Sequence, residues 1–230
     1  MSGRSNIGTL SEWSLHSELK KNYLTIDSQE EVEVDGYIID VVREDLLIEI
    51  QTSGFSSIHD KLRELIKSHQ VRLVHPIPVE KWIVRESLDG SSVLSRRRSP
   101  KRMGPQNVFD ELVYIPTLIH HQNLSIEVLL TQEEEVRRKD NKGSWRRRGW
   151  SIVDRRLLAI VGRKLYKSPS DLLHFIPDSL ESEFTNKDLA EATGYSKREA
   201  GKITYCLRRM GIIRVTGKRG RANVFQIRST

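Results

Sequence analysis

The fold is decided between residues 36 and 51, which read GYIIDVVREDLLIEIQ. Two runs rich in Val and Ile, residues 32–42 and 46–52, flank a charged turn at residues 43–45. This pattern is typical of a β-hairpin, because β-branched residues favour the pleated, half-buried surface of a sheet. Asp40 is a polar interruption within the first apolar run. The sequence therefore predicts a hairpin with a carboxylate in one of its strands.

Helical patterns lie on both sides of this hairpin. Apolar residues recur at helical spacing in residues 10–23 and again in residues 57–68. Two short runs of strand-forming residues follow at 71–74 and 82–85, and we expect strands there. Helix, hairpin, helix and strand in this order predict an α/β domain.

Charged segments dominate the chain from residue 87 to residue 166. Residues 87–106 are expected to form a surface loop. The basic runs 96–102 and 146–148 suit either contact with phosphates or a solvated loop. The other expectations are apolar segments at 108–116 and 124–130, a charged stretch at 133–148, a helix at 157–165 and a domain boundary near 167–169.

The composition predicts a globular protein that is not embedded in a membrane. Of the 230 residues, 37% are hydrophobic and 30% are charged, and no apolar run approaches the roughly 18 residues that would span a bilayer. The polar start of the chain does not resemble a secretory signal. Its single cysteine, Cys206, cannot form an internal disulfide, which suits a reducing compartment. We therefore expect a cytoplasmic protein.

Positive charge is concentrated at the C-terminus. Residues 184–230 contain 11 Lys or Arg and 3 Asp or Glu, a balance of 11 − 3 = +8, whereas the preceding 183 residues contain 27 and 28. A cationic surface must be local to neutralise phosphates. The distribution therefore points to a nucleic acid as the partner of the C-terminal region.

Three short helices are predicted in this basic region. The first two are expected at 171–176 and 186–193. Ser196 and Glu199 fit a capping box, in which each side chain satisfies a free backbone donor of the other residue, so a third helix begins there. Gly211 is expected to end it.

The third helix is amphipathic, and two strands follow it. At 100° per residue, an apolar face of Ala200, Ile203, Leu207 and Met210 lies opposite a face of Arg198, Lys202, Tyr205 and Arg209. Strands are expected at 212–216 and 222–227, joined by the basic turn 217–221.

This order of elements resembles the winged-helix family over about 55 residues. The resemblance implies that the third helix enters the major groove of double-stranded DNA and that the hairpin, or wing, lies on the adjacent backbone. It assigns DNA contacts to Arg198, Lys202, Tyr205 and Arg209 of the helix and to Lys218, Arg219 and Arg221 of the wing. The alternative interpretation is a solvated basic face, or a winged helix that contacts protein.

The hairpin brings polar side chains together in the N-terminal region. Because side chains alternate along a strand, Glu49 and Gln51 share one face, where they converge with Asp40. Buried carboxylates without a counter-charge are unfavourable, so this arrangement requires a cation. Oxygen ligands favour Mg²⁺ or Mn²⁺, which Asp40, Glu49 and the Ile50 carbonyl are expected to hold. Such a metal would polarise a phosphodiester and activate water. Alternatively, Asp40 lies on an exposed face and pairs with Lys or Arg.

A helix with Glu18, a strand with Asp40, a strand with Glu49-x-Gln51 and a further helix resemble the PD-(D/E)XK nuclease superfamily between residues 10 and 84. The resemblance implies that Asp40 and Glu49 bind metal and that Glu18 is the glutamate that some branches carry on the first helix. Gln51 stands where the family usually has lysine, although some restriction enzymes and CoiA-like competence nucleases also have Glu-x-Gln.

Gln51 and Lys61 are the two candidates for the role of the missing lysine. The Gln51 amide could orient a water by hydrogen bonding, but it cannot supply positive charge. Lys61 on the following helix could supply that charge; otherwise it is a solvated helix residue.

Taken together, these patterns predict an α/β protein with a restriction-endonuclease-like mixed-sheet core at 1–166 and a small winged helix at 167–230. The predicted function is a Mg²⁺- or Mn²⁺-dependent endonuclease acting on double-stranded or branched DNA. A double-strand cut would need a homodimer or two successive events. The alternative is a DNA-binding transcriptional regulator whose nuclease-like fold has lost its chemistry.

Overall fold

A helix and three consecutive strands form the first part of the fold. The computed structural model describes residues 14–228. Its first elements are α1 (Ser14–Lys21), β1 (Ser28–Val34), β2 (Tyr37–Arg43), β3 (Leu46–Ile50) and α2 (Phe55–Leu65). The strands pair antiparallel in sequence order. The predicted hairpin is thus confirmed as β2 and β3 between two helices, and residues 10–13 of the predicted first helix lie outside the described residues.

A tight turn divides the strand predicted at residues 32–42. This segment contains the end of β1 and most of β2, which meet at the pair Val34↔Tyr37. Between them, Asp35 and Gly36 have φ angles of 51° and 81°. Asp-Gly with two positive φ angles is typical of a type I′ turn, whose twist matches an antiparallel hairpin. The prediction of one strand is wrong, and the Asp-Gly pair is the signal for the turn.

Four more strands complete the sheet. They are β4 (Gln70–Glu86), β5 (Val93–Arg98), β6 (Leu124–Lys139) and β7 (Trp150–Tyr166), with helix α3 (Phe109–Leu112) before β6. The strand order is β1-β2-β3-β4-β6-β7, and β5 also pairs with β4. The β3–β4 and β4–β6 pairs are parallel, and the others are antiparallel. The fold is a mixed α/β structure, as predicted.

This sheet also contains segments that the sequence predicts to be a helix and a loop. Residues 157–165, predicted to be helical, belong to β7, and residues 93–98 of the predicted loop form β5. In β7, the side chains of Leu158 and Val161 remain 45% and 52% exposed. The helical prediction is wrong because pairing with β6 along nearly the whole strand overrides the local spacing of apolar residues.

One edge of β4 has an opening, which we call the notch. β3 pairs with this edge as far as Val74, and β5 pairs with it from Trp82 onward. The notch is the stretch between these two residues. It contains Pro76 and Pro78, which have no backbone N–H. The residue after β3 donates its N–H to the Val74 carbonyl, so residues 76 and 78 direct their backbone groups to the same edge. A backbone N–H at residue 76 or 78 would have no partner strand, and proline leaves no such group unpaired.

The C-terminal elements form a smaller unit of helices and strands. They are a 3₁₀ helix (Pro169–Phe175), β8 (Glu183–Phe184), α4 (Asn186–Thr193), α5 (Lys197–Arg209), β9 (Ile213–Arg219) and β10 (Ala222–Ile227). The strands lie in the order β8-β10-β9. The Ser196 hydroxyl accepts from the Glu199 N–H at 3.2 Å, and the Ser196 N–H donates to the Glu199 carboxylate at 2.8 Å. The predicted capping box is confirmed, and the first predicted helix is a 3₁₀ helix.

Buried apolar clusters lie on both faces of the large sheet. Leu47 and Ile48 are successive residues of β3 and belong to different clusters, because neighbouring side chains of a strand point to opposite faces. The cluster with Ile48 includes α1, and the cluster with Leu47 includes α2 and continues into the C-terminal unit through Phe175 and Ile203. Among residues 14–228, no helix is both long and apolar enough to cross a bilayer.

Candidate active site

The strands β2 and β3 separate at Asp40. Their last pair toward this end is Val41↔Ile48. Beyond it, the Ile50 N–H donates to Asp40 Oδ2 at 2.7 Å, so a side chain takes the place of the next ladder partner. The Asp40 carboxylate is thereby fixed in the fork between the two strands.

Glu49 and Lys61 meet beside this fork. Glu49 of β3 is buried, with 5% of its surface exposed. Its Oε1 forms an ion pair with Lys61 Nζ of α2, which also donates to the Ile38 carbonyl at 2.5 Å. Two carboxylates from neighbouring strands and one lysine from the following helix therefore form a single cluster, which we call the fork cluster.

The two carboxylates of the fork cluster have different proton affinities. Burial raises the pKa of Glu49 to about 7, and the negative charge of Asp40 adds to this effect while Lys61 opposes it. Burial alone would raise the pKa of Asp40 as well. Its pKa is nevertheless lower than the ordinary value, because His16, the Ile50 N–H and Lys61 all favour the ionised carboxylate. The site thus keeps Asp40 ionised and favours a further positive charge, as proton or cation, at Glu49.

His16 is a member of the site that sequence analysis missed. Its Nε2 lies 3.2 Å from Asp40 Oδ2. Glu18, the predicted residue of the same helix, instead accepts from the Leu157 N–H at 2.6 Å and anchors α1 to β7. Residues two apart on a helix point about 200° apart, so α1 cannot direct both side chains at Asp40. Nothing in the local sequence of α1 singles out His16, because its contact with Asp40 depends on how the helix packs.

Gln51 shapes the turn between β3 and α2. Its side-chain nitrogen donates to the carbonyls of Ser53 and Gly54, and its own carbonyl accepts from His75 Nδ1 at 2.7 Å. The amide nitrogen is used in this turn, so the amide oxygen is the part of Gln51 left to meet a water.

Glu111 fixes the start of α2 from a distant part of the chain. Its Oε2 accepts from the N–H groups of Gly54 and Phe55, both at 2.9 Å. The first N–H groups of a helix have no partner within the helix, and a carboxylate there also interacts favourably with the helix dipole. The contact determines where α2, and with it Lys61, begins.

A cleft of about 290 Å³ adjoins the fork cluster. Thr52 and Ser53, which follow β3, form part of its wall, and Leu15 next to His16 forms another part. It extends into the notch through Pro76 and Pro78. Its charged lining consists of Lys81, Lys101, Asp110, Glu111, Glu133 and Arg155. Asp40, Glu49 and Lys61 are not part of this lining, so the cleft lies beside the fork cluster and offers polar and charged groups there.

Within the part of the chain that the structure describes, no three His, Cys, Asp or Glu side chains are arranged to hold a metal ion. Mg²⁺ is commonly bound by one or two carboxylates together with waters and substrate phosphates. Asp40 and Glu49 supply the carboxylate part of such a set.

The residues predicted to contact DNA fall into two groups. Exposed side chains are Arg198, Tyr205 and Arg209 of α5 and Lys218 and Arg221 of the hairpin, and Arg208, which was not predicted, is exposed beside them. Lys202 instead donates to Asp110 at 2.7 Å, and Arg219 donates to Asp188 at 3.0 Å. Arg219 is exposed as well, so six of the seven predicted side chains face solvent, and Lys202 is the half-buried exception.

The chain belongs to a known family. Its residues 13–167 match the family described as "Domain of unknown function (DUF8091)". It is also 32% identical over 222 residues to a protein of Treponema pallidum (strain Nichols) named "Uncharacterized protein", a match that covers 96% of this chain and 87% of that protein. No solved structure matches the chain. The family match ends one residue after β7.

Proposed function

We propose that the protein is a metal-dependent nuclease that hydrolyses phosphodiester bonds in DNA. The observation on which this rests is the fork cluster, where Asp40 and Glu49 lie beside Lys61. Carboxylates that favour a cation, next to a lysine that can meet a phosphate, suit this chemistry. The order of elements supports the proposal, because α1, the Asp40 strand, the Glu49 strand and α2 follow the order seen in PD-(D/E)XK nucleases.

Lys61 supplies the positive charge that Gln51 cannot. A Glu-x-Lys strand presents its lysine two residues after the glutamate, whereas here the lysine reaches Glu49 from α2. Lys61 is held by both Glu49 and the Ile38 carbonyl, so its ammonium group is fixed in place. A fixed cation stabilises negative charge that develops on a phosphate in the transition state.

Mg²⁺ or Mn²⁺ fits Asp40 and Glu49, with the Ile50 carbonyl as the further predicted ligand. The raised pKa of Glu49 supports this fit, since a bound cation would replace the proton that burial favours. When bound, such a metal polarises the phosphodiester and lowers the pKa of an attacking water. His16 and the Ile50 N–H orient the Asp40 carboxylate, and Glu18 positions His16 by anchoring α1.

We propose that the C-terminal unit delivers this site to double-stranded DNA as a winged helix. The support is the order of elements, in which α5 follows α4 and precedes the β9–β10 hairpin. Arg198, Tyr205 and Arg209 would meet the major groove, and Lys218 and Arg221 the backbone. Lys202 and Arg219 would first have to exchange their carboxylate partners for phosphates.

One observation favours the alternative of a DNA-binding regulator without nuclease activity. Both carboxylates of the fork cluster already have a basic partner from the chain, Lys61 for Glu49 and His16 for Asp40. Such pairs can neutralise the site without a metal. The two functions differ in whether Mg²⁺ or Mn²⁺ binds and DNA is cut.

Cleavage assays with carboxylate variants separate these functions. Plasmid, linear and branched DNA are incubated with the protein and Mg²⁺ or Mn²⁺, alongside Asp40→Ala, Glu49→Ala and Lys61→Ala. We expect each variant to reduce metal-dependent cleavage more than about 100-fold, because each removes a ligand or the fixed cation. Glu33→Ala is the matched control, since Glu33 is an exposed carboxylate of β1, and Lys67→Ala controls for Lys61.

Two results of these assays would contradict the nuclease proposal. If the protein binds DNA but neither metal gives cleavage, the regulator replaces the nuclease. If Asp40→Ala and Glu49→Ala cut as the parent does, the fork cluster is not the active site. A Mn²⁺ titration by calorimetry gives an independent measurement, in which heat of binding should vanish in both variants and persist in Glu33→Ala.

A further inference from the structure

The loop that joins β6 and β7 is strongly basic. Residues 140–149 contain four Lys or Arg and one Asp, a balance of 4 − 1 = +3. Lys142, Arg146 and Arg148 are exposed. We call residues 140–149 the tip. Its charge is separate from that of the C-terminal unit.

Backbone and side-chain contacts give the tip a defined shape. The Asp140 carboxylate accepts from the Lys142 N–H at 2.9 Å and from the Ser151 hydroxyl at 2.7 Å. A Cβ added to Gly143 would lie 2.0 Å from the Trp150 carbonyl oxygen, so only glycine fits there. The N–H groups of Arg147 and Arg148 donate to the carbonyls of Ser144 and Trp145. These contacts fix the backbone conformation of the tip.

Trp145 projects from this loop into solvent. It is 82% exposed, and the guanidinium of Arg146 lies 5.6 Å from the centre of its ring. Leaving a tryptophan in water forgoes the hydrophobic free energy of burying it. A shaped loop that presents one aromatic ring among several cations matches a ligand with both a flat ring and negative charge.

We propose that the tip binds DNA, with Trp145 stacking on an unpaired base and Lys142, Arg146 and Arg148 contacting phosphates. Aromatic stacking together with basic side chains is the usual means of binding single-stranded nucleic acid. The inference rests on the proposed function in that DNA is the ligand, but it concerns a surface outside the fork cluster and the C-terminal unit. It assigns the protein a preference for DNA with unpaired bases, such as overhangs, branches or junctions.

An anionic lipid surface is the other ligand that could attract basic and aromatic side chains, and it fits less well. Trp145 is the only apolar side chain of residues 140–149. Binding to a membrane interface increases with the apolar area that is buried, and one ring supplies little. Stacking needs only the face of one ring.

The position of the tip supports contact with the same DNA molecule as the fork cluster. Ser14 at the start of α1 bonds to Asp154 of β7 at 2.9 and 3.1 Å, which ties the helix of His16 to this strand. Six residues separate Asp154 from Arg148, or roughly 20 Å of extended strand. About six base steps of DNA, at roughly 3.4 Å each, span that stretch between the tip and the part of β7 that holds α1.

The proposal is tested by measuring DNA binding in the absence of a metal ion. The full chain in EDTA is titrated into fluorescent duplexes that are either blunt or carry a single-stranded overhang, and anisotropy gives the Kd at several salt concentrations. We expect Trp145→Ala to weaken binding to the overhang duplex about tenfold and to leave the blunt duplex nearly unchanged. Trp145→Phe should restore part of the loss. The double variant Arg146→Ala and Arg148→Ala should reduce the salt dependence by about two phosphate contacts.

Leu94 of β5 provides a matched control for Trp145. Leu94→Ala removes another exposed apolar side chain, 61% exposed on β5, and should bind as the parent does. Equal Kd values for Trp145→Ala and the parent on the overhang duplex would overturn the proposal, as would binding to anionic vesicles without binding to DNA. If Trp145→Ala weakens binding but the parent protein cuts no DNA with metal, the tip assignment stands and the nuclease proposal fails.

Discussion

The environment of Glu49 predicts a pH-dependent stability. Folding raises the pKa of this carboxyl from 4.5 to about 7, first through burial and then through Asp40. A pKa raised on folding adds stability below the ordinary value, and this stability is lost as the pH rises through about 7. Glu49→Gln cannot ionise, so its stability relative to the parent should increase by about 3 kcal/mol between pH 4 and pH 8. Urea unfolding in EDTA measures this difference.

Glu33→Gln serves as the control for this experiment because Glu33 is exposed on β1. Its stability relative to the parent should be flat over the same range. A flat difference for Glu49→Gln as well would mean that the Glu49 carboxyl is hydrated in the folded protein.

The fork cluster was only partly accessible from sequence. Asp40 and Glu49 could be identified because strand alternation puts polar residues into an apolar hairpin, and Lys61 because the following helix packs beside it. His16 and Glu111 could not be, since their contacts with Asp40 and with the start of α2 span 24 and 57 residues of chain. No local pattern encodes such distances.

Helix α2 depends on a carboxylate that is remote in sequence. Glu111→Ala removes the acceptor of the Gly54 and Phe55 N–H groups. Loss of a helix cap typically destabilises a protein by about 1 kcal/mol. We expect that loss in urea unfolding, together with faster amide exchange in the first turn of α2. Glu64→Ala on the same helix, an exposed carboxylate paired with Lys67, should have a smaller effect, and similar losses in both variants would contradict the capping role.

Strands were harder to predict than helices in this chain. The capping box that begins α5 and the hairpin of β2 and β3 follow from neighbouring residues. In contrast, the charged second half of β6 depends on partners from other strands, because Glu134 pairs with Arg96 of β5 and Glu135 pairs with Lys81 of β4. A strand with charged residues is recognisable only once its partner is known.

The fold has one principal core that spans the predicted domain boundary. The ring of Phe109 lies 5.0 Å from that of Phe175, and both are buried with Ile203 of α5. The predicted boundary at 166/167 follows the end of β7, but the buried cluster continues across it. The two units therefore share the apolar contacts on which each depends.

This shared core predicts cooperative unfolding. Phe175→Ala should destabilise the protein by about 3 to 5 kcal/mol, because it leaves a cavity between the two units. Hydrogen exchange should report the loss in both β6 and α5, and calorimetry should show one transition for the parent and the variant. Tyr114→Ala, which removes an aromatic ring that is 54% exposed, is the control. Loss of protection in α5 alone would indicate units that fold separately.

The two prolines of the notch have a further consequence for the behaviour of the protein at high concentration. An unpaired strand edge can recruit a strand from another molecule and begin an aggregate. Proline blocks such recruitment, because it offers no N–H to an incoming strand. Pro76 and Pro78 thus let β4 stay open beside the cleft without becoming a template for intermolecular sheets. The same two residues therefore line the cleft and protect this edge from intermolecular pairing.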